Sequence, residues 1–330
     1  MVAHLFYVIV FFSLVSVLVI GLITGTKRLF GIRMSAEWNY YVWLILMLQL
    51  LFFINPSAII NQFGRVQGVF GQTGDASQYE SFLPGFKIAS VIWCFGFLLM
   101  FLYAGIALIV LHIKFRHASR CTDPAVMELA NRCRLMLRMK RRVQILCVSS
   151  NIPPVHIGLW KPKILLSSSL LNSLSPGQLQ HVLMHELVHI KRRDLWLQVT
   201  FVILRCTHWF NPLIWFAMRD MKNSGEVACD AAVLKCLGNE ARSEYGQTLI
   251  DLLRLFPKSS SSVGTLGMHS KKILTRRIRQ IVQGSPKGVP RVYGLMLSVL
   301  LILVVAFASD LFQHDFFGSN GYASTSERVK

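Results

Sequence analysis

Four uninterrupted apolar runs dominate the hydrophobic pattern of this 330-residue chain. They cover residues 5–24, 38–54 (with a possible continuation to 60), 88–113 and 292–309. A helix needs ~20 consecutive apolar residues to cross the hydrocarbon core of a bilayer. The pattern therefore predicts three transmembrane helices near the N-terminus, at about 5–24, 38–60 and 88–113, and a fourth at 291–309.

The segment between the third and fourth runs, 114–290, has a different pattern and is predicted to be a separate domain. Within it, PPVHIGLWKPKILLS (153–167) alternates apolar and polar positions and contains glycine and prolines, which predicts one or two strands around a turn. A short tail, 310–330, follows the last run. The expected fold is a mainly α membrane protein with an α+β domain.

The firmest helix prediction starts at Ser175, in LSPGQLQHVLMHELVHIKRRD. Ser175 is placed to cap the helix, Pro176 suits its first turn, and Gln178 completes a capping box. The nearly apolar stretch 195–218 allows two interpretations, a fifth span or a buried, half-inserted helix. We favour the second, because Arg205 lies in its middle and Asn211-Pro212 near its end.

Composition and charge support a membrane location and set an orientation. With 53% hydrophobic and 15% charged residues, the chain is too apolar for an ordinary soluble domain. Residues 113–291 contain 28 Lys and Arg against 10 Asp and Glu, which gives +18 of the total +19. The positive-inside rule then predicts a multi-pass plasma-membrane protein with a cytoplasmic domain and both termini outside. Contact with anionic lipid explains the basic excess, and we expect no direct nucleic-acid binding.

The seven cysteines fit this topology, because none lies in a predicted outside loop and there is no CxxC pair. This distribution indicates a reducing compartment, and the thiols are interpreted as inert packing groups.

The chemistry of the chain centres on His185, Glu186 and His189, an H-E-x-x-H sequence within the predicted helix. Residues four apart lie on one face of a helix, so both imidazoles can ligate a single zinc ion. Glu186 lies on the adjacent face, where it can act as general base toward a water molecule. The sequence therefore predicts one Zn²⁺ per chain and a hydrolytic site.

Glu226 is the predicted third ligand, because it lies on an apolar helical pattern where a carboxylate needs a partner. The alternative is a solvated carboxylate paired with Lys222. Asp230, one turn later, is predicted to orient a ligating histidine by accepting its free ring N–H. Asp194 has two equal interpretations, the same orienting role or a partner for the neighbouring arginines.

Two parts of the site stay open at this level. His208, His156 and Tyr245 all have groups suited to stabilising an oxyanion, and nothing in the sequence ranks them. The strand pair before the helix is hypothesised to present an open edge that binds an extended substrate by β-augmentation.

Four stretches resemble the BlaR/MecR-type antirepressor metalloproteases. They are GLWKPKILL, HELVHIKRRD, HWFNPLIWFAM and EVACDAAVL, which match the family's strand, zinc helix, following segment and third-ligand helix. The resemblance implies a gluzincin-like zinc endopeptidase whose activation leads to removal of a cytosolic transcriptional repressor. It also implies self-cleavage between the protease domain and the last span, where Arg276-Arg277 and Lys271-Lys272 are candidate positions.

One departure concerns the signal. The β-lactam sensors of the family carry a penicillin-binding domain after the last span, and residues 310–330 are too few to form one. We therefore expect a separate sensor protein, the outside loop 62–84 or a different trigger to supply the signal.

Two other functions compete with this interpretation. A zinc protease for membrane-protein processing or quality control also uses H-E-x-x-H and a later glutamate. A non-enzymatic membrane receptor or scaffold, in which His185 and His189 are structural, belongs to a different class.

Overall fold

A computed structural model describes residues 2–30, 34–51, 76–256, 271–284, 296, 298 and 299. In these parts of the chain helices dominate, as predicted, and four strands form one sheet. The N-terminal helices are α1 (Val2–Phe30), α2 (Ala36–Tyr41), α3 (Trp43–Leu51) and α4 (Ala76–Phe115). The later helices are α5 (Pro124–Met136), α6 (Ser168–Ser173), α7 (Pro176–Arg192), α8 (Asp194–Thr207), α9 (Pro212–Leu237), α10 (Arg242–Leu255) and α11 (Lys271–Gln283).

Within the described part of the chain, two helices are long and apolar enough to cross a membrane, through Phe12–Leu29 of α1 and Pro84–Phe115 of α4. Large side chains on α4 face outward, and Val91, Leu98 and Leu108 are 66%, 61% and 65% exposed. An apolar surface of this kind is typical of contact with lipid or another protein. Residues 52–60 of the second predicted span, and all of the fourth except 296, 298 and 299, lie outside the described residues.

The sheet contains β1 (Ser119–Arg120), β2 (Gln144–Val148), β3 (Val155–Ile157) and β4 (Lys163–Ser167) in the order β1-β2-β4-β3. Strand β4 is parallel to β2 and antiparallel to β3, with His156 opposite Ile164. The prediction of one or two strands within 153–167 is confirmed, and the structure has two. Among the described strands β3 is at an edge, and it packs against α7.

Helix α7 lies in the centre of the largest apolar core. Its residues Leu183, Met184 and Leu187 are almost fully buried, and they share this core with Ile164 of β4 and Val233 of α9. Burying a leucine side chain contributes roughly 1.5–3 kcal/mol. The core therefore holds α7 rigidly between the sheet and helices α9 and α10.

The ends of α7 are defined by local chemistry. The Ser175 hydroxyl accepts from the Gln178 amide N–H, and the Gln178 side chain accepts from the Ser175 N–H, so the predicted capping box is present. Arg193 has a left-handed backbone, with φ 59° and ψ 37°, and it joins α7 directly to α8. The sharp corner brings Asp194 back onto the last turn of α7.

The apolar stretch 195–218 forms two helices, α8 and the start of α9, that meet at a corner around Asn211. It is therefore not one continuous span. The Asn211 side chain donates hydrogen bonds to the hydroxyls of Ser13 (2.8 Å) and Ser16 (3.2 Å) of α1. Further along α9, Asp220 is ion-paired with Lys27 near the other end of α1. The corner and the first part of α9 thus run beside α1, whereas α8 packs against α4.

Candidate metal centre

Helices α7 and α9 bring the three predicted metal ligands together. The Nε2 atoms of His185 and His189 are 3.2 Å apart. Oε2 of Glu226 lies 3.5 Å from Nε2 of His185, and Oε1 lies 3.8 Å from Nε2 of His189. Both histidines are buried, with 6% of their surface exposed, so this convergence lies inside the protein.

These separations fit a small tetrahedral cation. With zinc–nitrogen and zinc–oxygen distances of 2.0–2.2 Å, tetrahedral ligand atoms are about 3.3–3.6 Å from one another. The distances among His185, His189 and Glu226 span 3.2 to 3.8 Å. Two imidazole nitrogens and one carboxylate are also a donor set that zinc uses in catalytic sites.

One set of contacts fixes the ring of His189. Its Nδ1 atom is 2.6 Å from Oδ2 of Asp194, close enough for a strong N–H···O bond. The other oxygen of Asp194 accepts from the Tyr40 hydroxyl at 2.9 Å and lies 3.3 Å from Nε of Arg192. A proton held on Nδ1 leaves the Nε2 lone pair free for a metal. We call His189, Asp194, Tyr40 and Arg192 the His189 branch.

A second set of contacts holds His185 through a tyrosine. Its Nδ1 atom donates to the Tyr245 hydroxyl at 3.0 Å, and that hydroxyl donates to Oδ1 of Asp230 at 2.7 Å. Asp230 itself is 3.4 Å from Nδ1 of His185. Arg277 donates two hydrogen bonds to Asp230, of 2.6 and 2.7 Å. We call His185, Tyr245, Asp230 and Arg277 the His185 branch.

Glu186 faces a different partner, His156 of β3. Its carboxylate is 2.7 Å from Nδ1 of His156, whose ring stacks on that of His189 with centroids 4.9 Å apart. Of the three oxyanion candidates, His156 is therefore the one that contacts Glu186, the predicted general base. The Tyr245 hydroxyl is bound within the His185 branch, and His208 lies at the end of α8 that is remote from Asp194.

Cys229 was missed as a site residue, because the cysteines were interpreted as packing thiols. Its sulfur lies in the cluster, with ligand atoms of His185, His189 and Cys229 all within 4.8 Å of one another. The thiol donates to the backbone carbonyl of His185 at 3.3 Å. A signal was present in the sequence, since Glu226, Cys229 and Asp230 share one face of a helix at spacings of three and four.

Arg277 was also missed in this role. Its side chain is 0% exposed, and Nη1 lies 3.2 Å from Glu226. The predicted self-cleavage pair Arg276-Arg277 is thus part of a folded helix with one member buried, and cleavage there requires α11 to unwind first. The spacing of Arg277 with Leu274, Ile278 and Ile281 places it on the apolar face of α11, which is the signal that could have revealed its burial.

Opposite charges offset the cost of burying these groups. Burial by itself favours a higher pKa for Asp230, but the Arg277 guanidinium outweighs this effect and lowers the pKa to about 2. Burial likewise opposes ionisation of Glu186, and His156 nevertheless holds its pKa below the ordinary value. Burial disfavours a charged His189, yet the surrounding groups, Cys229 and Asp194 foremost, raise its pKa to about 10. The cluster is a compact set of mutually compensated charges.

A small cavity opens beside the cluster, between α7, α10 and the chain before β3. Its lining residues are Pro154, His181, Val182, His185, Glu186, Tyr245, Thr248, Leu249 and Leu252.

A mainly helical protein with two imidazoles and a carboxylate converging in its interior has the type of site that holds a divalent metal. The sequence matches the profile of the BlaR1 peptidase M56 family over residues 7–281. The chain belongs to this family.

Among its relatives is the regulatory protein BlaR1 of Bacillus licheniformis, 31% identical over 159 residues, or 48% of this chain and 26% of that protein. The methicillin resistance mecR1 protein of Staphylococcus aureus is 28% identical over 161 residues, again 48% of this chain and 27% of the relative. BlaR1 of S. aureus is 24% identical over 157 residues. The matched part of the chain thus spans about a quarter of the length of these proteins.

Proposed function

We propose that the chain is a membrane-embedded zinc endopeptidase in which His185, His189 and Glu226 hold one Zn²⁺. The observation that carries the proposal is the convergence of the two Nε2 atoms and Glu226 while each Nδ1 atom is engaged elsewhere. A purely structural histidine pair has no need to direct both Nε2 nitrogens at one point beside a carboxylate. Membership of the M56 peptidase family supports the same conclusion.

Zinc, when bound, lowers the pKa of a water molecule and polarises the carbonyl under attack. Glu186 takes a proton from the attacking water and later delivers it to the leaving amine. His156 holds the Glu186 carboxylate in place through its Nδ1 atom. Its buried Nε2 atom has no hydrogen-bond partner among the described residues, so it is available to a polar group of the substrate.

An extended peptide is the substrate that this arrangement favours. Strand β3 carries His156 and lies at the edge of the described sheet, next to α7. A substrate strand pairing with this edge passes directly in front of Glu186. The cavity beside Glu186, walled by Val182, Leu249 and Leu252, has room for about one water-sized group next to that substrate.

The membrane arrangement is also part of the proposal. The four apolar runs of the sequence are spans, and the basic segment between the third and fourth places the site in the cytoplasm. The hairpin of α8 and α9 is half-inserted, because it packs along α1 and α4 and turns apolar groups outward. Ile203 and Phe216, for example, are 53% and 48% exposed.

In this role the chain acts as a signal transducer, whose activation leads to cleavage of a cytosolic transcriptional repressor and possible cleavage of the chain itself. The printed names of the relatives, a regulatory protein and a methicillin resistance protein, support a regulatory role. Plasma-membrane localisation and a repressor substrate both follow from this proposal.

The first test measures zinc and hydrolysis separately. The full chain, purified in detergent micelles, is expected to contain one zinc per molecule and to cut an unstructured protein. Glu186→Gln should keep its zinc and lose about 10²- to 10⁴-fold in rate, the usual contribution of a general base. Glu240→Gln, an exposed glutamate outside the cluster, is the matched control. Wild-type protein without zinc would overturn the proposal and favour a scaffold.

A second test identifies the substrate class in cells. Protein abundances are compared between cells with the wild-type chain and cells with Glu186→Gln. Loss of a DNA-binding repressor only in wild-type cells supports the signalling role. General turnover of membrane proteins instead indicates the processing or quality-control function.

A further inference from the structure

We propose that Arg277 is a positioning residue of the metal centre. It lies on α11, a helix that carries none of the proposed zinc ligands, and its guanidinium holds Glu226 and Asp230 in place. This inference rests on the proposed function and deepens it. It also assigns a role to a helix that lies between the protease core and the last apolar run.

The contacts of Arg277 are too specific for a packing role. Nε and Nη2 bind the two oxygens of Asp230 at 2.7 and 2.6 Å, which is the bidentate geometry of a strong arginine–carboxylate pair. The third nitrogen, Nη1, lies 3.2 Å from Glu226 Oε2. One guanidinium therefore contacts both the proposed third ligand and the carboxylate that orients His185 through Tyr245.

Charge balance gives an independent reason. Four buried or nearly buried carboxylates surround the centre, and they belong to Glu186, Asp194, Glu226 and Asp230. A divalent cation offsets two of these charges, and Arg192 is paired with Asp194. Arg277 supplies the remaining positive charge, without which the loaded site holds an uncompensated carboxylate in a low-dielectric interior.

The shape of the side chain matters as much as its charge. A guanidinium is a planar fork that can donate to two carboxylates at once, whereas a lysine ammonium is a single point. Arg277 donates hydrogen bonds to Asp230 from Nε and Nη2, and its Nη1 atom is in ion-pair contact with Glu226, so lysine can restore the charge but not both contacts.

Helix α11 delivers Arg277 through its apolar face. Ile278 and Ile281 pack over Gly246 of α10, and Ile281 is 2% exposed. The carbonyl of Ile281 also accepts from Arg242 Nη1 at 2.9 Å. The metal centre is therefore complete only when α11 is docked.

The test compares zinc affinity among variants of the full chain in detergent micelles. Arg277→Gln is expected to weaken zinc binding about 10- to 100-fold in competition with a chelator, the range seen when partners of metal ligands are lost. Arg277→Lys should give an intermediate loss. Arg279→Gln removes the same charge from an exposed position on the same helix and should bind zinc like wild type.

A spectroscopic readout separates positioning from general destabilisation. Cobalt bound in place of zinc reports ligand geometry, and its visible absorption should change in Arg277→Lys and stay unchanged in Arg279→Gln. If Arg277→Gln does not fold, Arg277→Ala is assayed with added guanidinium ion, which should restore zinc affinity by filling the vacated site.

The outcomes are distinct. Unchanged zinc affinity and cobalt spectrum in the Arg277 variants, or failure of guanidinium to restore affinity in Arg277→Ala, would overturn this inference and leave the protease proposal intact. A wild-type chain that binds no zinc would instead refute the proposed function.

Discussion

The His185 branch and the His189 branch each hold an imidazole in place, and they do so with the same kinds of residue. In each branch an imidazole is supported by an aspartate, and that aspartate is held by one tyrosine hydroxyl and one arginine. The two branches differ in whether the aspartate contacts the imidazole directly and in how far apart these residues lie in the sequence. Asp194 touches His189 at 2.6 Å and lies five residues away in sequence, whereas Asp230 acts on His185 chiefly through Tyr245.

This difference indicates how each ligand depends on the rest of the fold. The His189 branch is set mainly by the corner between α7 and α8, with Tyr40 of α2 as its only distant member. The His185 branch requires α9, α10 and α11 to be packed together. We therefore expect loss of the aspartate from the His185 branch to appear first as lost stability, and loss of the aspartate from the His189 branch to appear first as lost metal affinity.

The largest effect is expected from Asp230→Ala, which leaves the fully buried Arg277 without its bidentate partner. Removing one member of a buried ion pair costs about 3–5 kcal/mol of unfolding free energy. Heat or denaturant unfolding in detergent measures this loss. The control Glu128→Gln breaks a highly exposed pair with Arg132 and should cost less than about 1 kcal/mol.

The stability that the Asp230 carboxylate contributes is expected to depend on pH. The pKa of Asp230 is lowered from 3.8 to about 2, so its charge stabilises the folded state above pH 4 and this contribution is lost as the pH falls toward 2. The stability difference between wild type and Asp230→Ala should shrink over that interval. A difference that stays constant down to pH 2 would contradict the assigned ion pair.

The next effect concerns Asp194→Asn, which keeps the shape of the side chain but replaces an acceptor with an amide. The amide favours a proton on Nε2 of His189, the nitrogen that faces the metal. Zinc affinity should fall about 10- to 100-fold while the protein remains folded. Chelator competition should show a larger loss for Asp194→Asn than for Asp230→Asn, where Tyr245 still accepts from His185. The reverse order would break the distinction between the branches.

The sequence predicts the His189 branch better than the His185 branch. The capping box and the H-E-x-x-H spacing fix α7 and both histidines, and Asp194 is close enough in sequence to be considered. Tyr245 is 60 residues from His185 and Arg277 is 47 from Asp230, so their contacts depend on tertiary packing. The stretch 195–218 was ambiguous for a related reason, since its apolar count resembles a span and only Asn211-Pro212 signals the corner.

A smaller effect separates the two tyrosines. Tyr245→Phe removes the hydroxyl that links His185 to Asp230, whereas Tyr40→Phe leaves the direct bond between Asp194 and His189 in place. Losing a buried hydrogen bond costs about 1–3 kcal/mol. Zinc affinity should therefore fall about tenfold in Tyr245→Phe and only about two- to threefold in Tyr40→Phe. Equal losses would mean that both hydroxyls act alike.

The smallest effect is expected from Cys229→Ala, and it decides which side chain completes the metal site. The Cys229 sulfur lies among the ligand atoms, but its hydrogen bond goes to the backbone carbonyl of His185. Glu226 has both imidazoles within 3.8 Å and Arg277 to balance its charge. Zinc affinity should change less than about twofold in Cys229→Ala and fall by far more in Glu226→Gln, because only the glutamate is a ligand in the proposed site. The cobalt-substituted protein checks this, since a thiolate ligand produces an intense charge-transfer band that a carboxylate does not. Such a band, abolished by Cys229→Ala, would transfer the third-ligand role from Glu226 to Cys229 and leave the carboxylate as a charge partner of Arg277.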